Sequence, residues 1–510
     1  MPGDTSAREE YDVAIIGCGP VGEILSIVLA QHGVRSVAIE REPGIYSTPR
    51  AVALDDEVMR IYQNLGVADQ MSKVLSRMVA ARFINEAGQL LLGGETGERS
   101  NQGWGEVYLF HQPHVEEILH ARMIELGAEV RYGTEVTAIE EDAEEVRLSC
   151  RVLGKQEQST VTARYAVGCD GGTSFTRHAI GSTWDRLAPS QRWLCVDVLE
   201  KRDLGLGNAL VGYCWTSRPH LYVPKGHGRH RWEFMLLEDD DPERLASSEG
   251  VWDLLDRYVS PEDVELERTA VYNFRSLVAA PWRRGRVFLA GDAAHLQPPM
   301  HGQGLCSGVR DAVNLGWKLA AVLHGRAREE LLDTYESERR AHAAAWIRIA
   351  TEISEMMNTL DPEVAARRDE HMLAHPTPAA GTPTPPLGPG MHGDGEIPAP
   401  TAIRAAQGVL ADGTLLDDVT GWRFLVAAQP DILAELLGAD RALLEDDALV
   451  HVFSEPRDAV RELLEQHGSH RALVVRPDRY VLGVADDGAG LHEVLGRWRA
   501  FAVTGVPAAS

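Results

Sequence analysis

Along the first forty residues, short apolar runs alternate with an amphipathic stretch. YDVAIIG (residues 11–17) is apolar, β-branched and closed by glycine, the pattern of a buried strand. PVGEILSIVLAQHG (20–33) predicts a helix ending at Gly33, and RSVAIE (35–40) a second strand. Strand, helix and strand in that order form a βαβ unit, which predicts a parallel sheet with a right-handed crossover. PHVEEILHARMIELG (113–127) predicts another helix, opening at Pro113. YAVGCDGG (165–172) and GRVFLAGDAAH (285–295) both read as strands running into glycine turns. Between them, residues 190–240 are rich in aromatic and β-branched residues and predict a β-rich middle region. From Val309 to about Thr359 the pattern is helical. Residues 374–400 are dense in Pro and Gly and predict an extended linker. Beyond them, WRFLVAA, ALVHVF and RALVVRPDRYVLGV alternate with helix-like DILAELLG and AVRELLEQHG, which predicts a small separate α/β unit.

Composition narrows the classes. The chain has 510 residues, which predicts roughly two to four domains. Its formal charge of −26 repels phosphate backbones and anionic lipid, which argues against nucleic acid and membrane partners. The six cysteines (18, 150, 169, 195, 214 and 306) form no CxxC pair, so no metal site and no disulfide framework is expected. Reduced thiols, with no basic-then-apolar leader and no long apolar span, predict a cytoplasmic protein.

Three motifs carry chemistry. Gly17-Cys18-Gly19-Pro20-Val21-Gly22 is GxGxxG, placed after a strand and opening a helix. Gly17 allows the tight turn, Gly19 lets backbone approach a pyrophosphate, and Gly22 permits close helix–strand packing. Glu40, at the end of the next strand, is placed to accept from a ribose hydroxyl. A glycine-rich turn of some other α/β fold is the plainer alternative, and the motif alone does not separate FAD from NAD. The second motif is Leu289-Ala290-Gly291-Asp292-Ala293-Ala294-His295, followed by Pro298-Pro299-Met300-His301-Gly302-Gln303-Gly304 and a helix from Ser307 to Leu323. The third is Cys169-Asp170-Gly171-Gly172-Thr173-Ser174-Phe175-Thr176-Arg177.

Together these segments resemble the group A flavoprotein aromatic hydroxylases, whose type member is p-hydroxybenzoate hydroxylase. The resemblance runs through most of the first 350 residues, in STPRAVALDDEVMRIYQNLGV, FHQPHVEEIL, CDGGTSFTR, RWEFML, LAGDAAH, GQGLCSGVRDAVNLGWKLA and LLDTYESERR. It looks nearest to the 3-(3-hydroxyphenyl)propionate hydroxylase branch, which includes polyketide hydroxylases. It implies an α/β fold: a Rossmann-like FAD-binding domain, an inserted β-sheet substrate domain and a C-terminal thioredoxin-like domain. The implied boundaries are 1–182 (with a β-rich excursion near 79–105) and 280–370 for the FAD-binding domain, and 183–279 for the substrate domain. The linker is then 371–400 and the thioredoxin-like domain 401–510, which has no cysteine for disulfide exchange.

The resemblance also implies site residues. Gly17, Gly19, Pro20, Gly22, Glu40, Arg41 and Arg50 would hold the ADP half of FAD, and Gln112 and Asp292 the ribityl chain. Asp170 would order the region. Pro299, Gly302, Gly304, Leu305 and Cys306 would face the flavin ring. Many relatives carry Asn where this chain has Cys306, which puts side-chain tuning of the flavin there in doubt. The implied reaction uses FAD, NADH or NADPH, and molecular oxygen. It hydroxylates a small phenolic or hydroxylated heteroaromatic substrate through a C4a-hydroperoxyflavin. An epoxidase or Baeyer–Villiger-type oxygenase on the same scaffold, and a flavin-binding protein without turnover, are the rival readings. Tyr213, His220 and Tyr222 are the candidate catalytic groups, with His230 and Tyr272 as further polar groups of the middle region. Lys225, Arg229 and Arg231 read as a solvated basic face. A homo-oligomer is compatible with the appended domain.

Overall fold

The protein is described here from a computed structural model covering residues 10–46, 51–155, 158–376, 384–393, 395, 398–446 and 449–503. The βαβ unit forms as its pattern requires. Strand Glu10–Ile16 pairs in parallel with Ser36–Ile39 across helix Pro20–Gln31, and Gly33 takes a left-handed φ of 72° just past the helix. Four neighbouring pairs continue the parallel core, in the order Val287–Leu289, Gln158–Gly168, Glu10–Ile16, Ser36–Ile39 and Glu129–Arg131. Helix Gln303–Leu323 packs against helix Pro20–Gln31 through two glycines. A Cβ on Gly308 would sit 2.7 Å from Val21, and one on Gly316 2.7 Å from Val28. The two helices therefore run in the same direction, and their N-termini open on the same side.

The middle region is one eight-stranded sheet. Its order is His295–Leu296, Val264–Ala280, Thr183–Glu200, Arg229–Met235, His220–Gly226, Ala209–Tyr213, Ala80–Ile84 and Leu90–Glu95. The excursion near 79–105 thus supplies two strands of this sheet, with Ala209–Tyr213 pairing in parallel to Ala80–Ile84. Each face is covered by a different part of the chain. Helix Ser248–Leu255 and Tyr258 seal one face, with Leu194, Val196, Tyr222, Trp232 and Phe234 beneath them. The other face packs Trp193, Leu221 and Val223 against Met300, Leu109 and Met357.

Of the stretch expected as an extended linker, residues 371–374 finish helix Pro362–Ala374. Residues 384–393 lie without helix or strand but are packed: Leu387 and Met391 are buried, and Gly388 N donates to Glu338 O at 2.9 Å. The last unit is a four-stranded mixed sheet in the order Val450–Phe453, Phe424–Ala428, Ala472–Val475 and Val481–Ala485, flanked by helices. Among the described residues no helix is long and apolar enough to cross a membrane.

Candidate active site

The glycine turn is set by close backbone contact. Gly17 has φ 99°, and a Cβ there would come within 2.5 Å of the Cys169 carbonyl oxygen. A Cβ on Gly22 would come within 2.2 Å of the Gly17 carbonyl oxygen. Both positions therefore exclude a side chain. A Cβ on Gly19 would meet open space instead. The helix that follows has Pro20 at its first position and no side-chain cap on Gly19, so its leading amides face that open side. Glu40 is tied to the turn itself: its carboxylate accepts from Cys18 N at 2.7 Å and Glu42 N at 2.9 Å. Arg41 is exposed, 3.5 Å from Glu42. Arg50 lies outside the described residues.

The other two motifs close on this turn. Asp170 accepts from Ser174 Oγ (2.5 Å), Thr176 N (2.9 Å) and Thr176 Oγ1 (3.0 Å), fixing the short helix Phe175–Ala179. Arg177 then donates to Gly172 O and to Ala293 O and stacks over Trp184 at 4.0 Å, so it joins the Asp170 turn to the Asp292 turn. Gly291 has φ 61°, and a Cβ there would be 3.0 Å from Val21. Its amide and His295 Nε2 both meet Asp311 Oδ2, at 3.0 and 2.7 Å, and Arg339 holds the other oxygen at 2.9 Å. Burial alone would raise the Asp311 carboxyl; His295 and Arg339 outweigh it and hold it below the usual range. His295 is therefore an anchor of the turn. Asp292 beside it is exposed.

The Pro299–His301 turn ends at Gly302, φ 67°, which caps helix Gln303–Leu323 without a side-chain bond. The helix starts earlier than Ser307 because Gly302 alone can take that backbone. Gly304 and Leu305 lie in the uncapped first turn, and a Cβ on Gly302 would lie 3.4 Å from Ala53. Cys306 is fully buried, its thiol on the Gly302 carbonyl at 3.6 Å; burial pushes its pKa up, away from reactive thiolate. Gln112 accepts from Ala51 N at 2.9 Å and donates to Glu116 at 2.7 Å, so it links the strand entry to helix Gln112–Glu125.

The three candidate catalytic groups lie elsewhere. Strand His220–Gly226 is extended, so His220 and Tyr222 do share a face, but it is the face sealed by helix Ser248–Leu255. His220 Nε2 meets Tyr258 Oη at 2.5 Å, and its Nδ1 meets Arg218 O at 2.8 Å. Tyr213 stacks on His220 at 4.3 Å, and Tyr222 Oη meets His230 Nδ1 at 2.7 Å. Register decides this. Leu221 and Val223, one residue out of phase, are the ones that meet the Met300 turn. Tyr213, His220 and Tyr222 thus sit packed on the sealed face, away from the Met300 turn.

The Met300 side carries charged groups expected in solvent, together with others not named from the sequence. Asp197 accepts from Lys225 Nζ (2.9 Å) and from Arg231 Nε (2.7 Å) and Nη2 (2.9 Å), with Glu233 beyond. All four are buried, so Lys225 and Arg231 are not a solvated face. Among the described residues, His111, at the cap of helix Gln112–Glu125, has no hydrogen-bond partner on either ring nitrogen. Burial, then the charges of Lys225 and Arg229, lower its pKa to about 4, so the ring is neutral at pH 7. The buried side-chain amide of Gln297, close to Gly304, is likewise without partners.

This geometry defines a dinucleotide-dependent enzyme. It combines two uncapped helix N-termini on one side, open space at Gly19, and unsatisfied polar groups at His111 and Gln297. That set fits a long anionic cofactor with a polar ring system. Comparison with known proteins names the cofactor. The sequence model of the FAD binding domain family matches residues 10–350. A protein of Rhodococcus jostii (strain RHA1) named "Probable NADH-specific resorcinol 4-hydroxylase" is 34% identical over 507 residues, covering 95% of this chain and 94% of that one. A 3-(3-hydroxy-phenyl)propionate/3-hydroxycinnamic acid hydroxylase of Mycobacterium sp. (strain JLS) is 36% identical, with 93% and 89% covered. Among solved structures, the OxyS anhydrotetracycline hydroxylase from Streptomyces rimosus superposes with a TM-score of 0.75 at 27% identity, covering 97% of this chain and 99% of that one. The chain belongs to the FAD-binding family of aromatic-ring hydroxylases, and FAD is its cofactor.

Proposed function

We infer that the protein hydroxylates a small phenolic ring. One atom of O2 enters the ring and the other leaves as water, with a reduced nicotinamide as electron donor. The relatives' named substrates, resorcinol and hydroxyphenylpropionate, support a single-ring phenol over a larger polycyclic one. The observation that carries the reading is the apolar sheet face of Trp193, Leu221 and Val223 set against the Met300 turn, where helix Gln303–Leu323 begins.

In this reading the helix-leading amides that follow Pro20 take the pyrophosphate, with Gly17 and Gly22 allowing the approach. Glu40 lies on the adenosine-ribose side, with Gln112 and Asp292 toward the ribityl chain. Asp170 holds its turn in place rather than touching the cofactor. FAD, when bound, supplies the electron transfer and the oxygen activation. The chain supplies the rest. The uncapped amides around Gly304, Leu305 and Cys306 stabilise negative charge on the ring edge that faces them. The apolar wall excludes water from the reacting oxygen. Neutral His111 offers a ring nitrogen to accept a phenol O–H, and it stays uncharged across the neutral range. The six free thiols support a reducing, cytoplasmic setting.

The test is rapid mixing of the yellow protein with NADH or NADPH under a panel of single-ring phenols. The expected result is one or more phenols that accelerate flavin reduction at least about tenfold and gain one oxygen atom by mass. Reduction indifferent to every phenol, with no oxygenated product, would overturn the reading.

A further inference from the structure

The unit formed by residues 401–503 has no cysteine, yet it is tied to the rest of the chain by buried charges rather than by a loose apolar contact. Its Asp417 takes Arg60 in a two-point contact, Nε at 2.7 Å and Nη2 at 2.8 Å, and also takes Arg479 at 2.9 Å and Asn64 at 3.2 Å. Arg60 stands at the middle and Asn64 near the end of helix Asp56–Leu65. Arg404 grips the first residue of the same helix through an ion pair with Asp56. Arg60 also donates to the Ala405 carbonyl, next to Arg404.

That short helix is held at both ends by the appended unit, and its cap leads straight to the cofactor turn. Asp55 caps the helix by accepting from Val58 N at 3.0 Å. The other oxygen of Asp55 accepts from Gln303 Nε2 at 3.0 Å and from Arg310. Arg310 in turn holds Gln303 Oε1 at 2.7 Å and Glu57 at 2.8 Å. Gln303 is the first residue of helix Gln303–Leu323, immediately after Gly302. A path thus runs from half-buried Arg404 to Asp56, along the backbone to Asp55, and through Gln303 and Arg310 to the turn taken as flavin-facing. A second tie fixes the middle of that helix: Asn314 donates to Asp478 at 2.7 Å, and Lys318 and Arg476 share Glu338 at 2.7 and 2.8 Å.

We propose that the 401–503 unit is a clamp that positions the start of helix Gln303–Leu323 through helix Asp56–Leu65, with Arg404 as its positioning residue. The unit touches no reacting atom in this role. Removing its grip loosens the first turn, while the glycine turn at 17–22 is left alone. The idea rests on the functional reading only in taking Gly302–Cys306 as flavin-facing.

The experiment is hydrogen–deuterium exchange on the full chain, with and without FAD, read at amides 303–310 and at amides 10–31. Arg404→Gln is expected to speed exchange at 303–310 by about fivefold or more, leave 10–31 unchanged and alter the visible flavin spectrum of the holoprotein. Arg404→Lys should restore most of the protection. Arg471→Gln, which removes contacts with Asp431, Gln429 and Asp486 inside the appended unit, should change nothing at either site. If Arg404→Gln does not fold, Asp56→Asn removes the same ion pair at constant size and gives the same readout. A folded variant of either kind with wild-type exchange at 303–310 and a wild-type flavin spectrum overturns the clamp. Because exchange in the FAD-free protein is one arm, the clamp is judged even if wild type hydroxylates no phenol.

Discussion

The two faces of the eight-stranded sheet carry opposite kinds of residue. The face under helix Ser248–Leu255 holds aromatic and imidazole side chains, and its histidines and Tyr222 are paired: His220 with Tyr258 and Arg218, Tyr222 with His230, and His230 with Glu200 at 2.8 Å. The face toward Met300 is mostly Leu, Val and Trp, with the Asp197–Lys225–Arg231–Glu233 group at one end. Residue types that look catalytic thus build a core on one face, and residue types that look like core line the other. A polar side chain gains reactivity from what it lacks. Both ring nitrogens of His220 are hydrogen-bonded, while among the described residues neither nitrogen of His111 is.

The largest test of this contrast is Asp197→Ala. It leaves Lys225 and Arg231 buried without their shared carboxylate, and it should cost about 3–5 kcal/mol in urea unfolding. Lys225 and Arg231 hold the Asp197 carboxyl below its usual range against the opposing effect of burial. A depressed folded pKa means that this stability is present above the unfolded pKa and lost as pH falls through the folded one. Wild type should therefore weaken in acid more steeply than the variant. A neutral outcome would mean that the ion group stabilises nothing, and the two faces would then differ less than described.

Next comes His220→Phe, which breaks a buried hydrogen bond and should cost about 1–3 kcal/mol while turnover stays within about twofold. Burial lowers the His220 pKa to about 4, below the unfolded value near 6.5. Between these pH values the unfolded chain binds the extra proton, so stability falls as pH drops from 6.5 to 4. His220→Phe should flatten that part of the curve. A collapse of hydroxylation with FAD still bound would place His220 in the chemistry and reverse the assignment of faces. The smallest effect is expected on the other face. Met300→Ala should lower kcat/KM for the phenol by about tenfold, with flavin retained and little change in the pH profile.

What was legible in the sequence follows from which constraints are local. Gly17, Gly22 and Gly302 could be read because a side chain at each would collide or strain the backbone, whatever else the chain does. The βαβ unit could be read because its period and its breaks lie within forty residues. The faces of the middle sheet could not. HRWEF shows alternation, with Arg231 and Glu233 on one side and His230, Trp232 and Phe234 on the other, but alternation does not say which side meets solvent. Charged positions suggested water, but Arg231 and Glu233 are buried in an ion group with Asp197 and Lys225. His111 had a weak signal in FHQPH, as an imidazole beside the expected ribityl contact Gln112. Its significance lies in the absence of partners, which only the packed chain reveals.

The crowding of Gly17 against the Cys169 carbonyl has a consequence in time. Gly17 N bonds to Ile39 O, Cys169 N to Ile16 O, and Ala290 N to Gly168 O, each within 2.9 Å. The cofactor pocket is therefore stitched from three stretches of chain that leave the ribosome far apart. Parallel pairing of this kind is non-local and slow to form. A nascent chain ending before residue 168 has its glycine motif and its first helix, yet lacks the backbone that shapes them into a pocket. Cofactor capture then belongs to the last stage of folding, and until that stage the edges of the central strands stand open to misassociation.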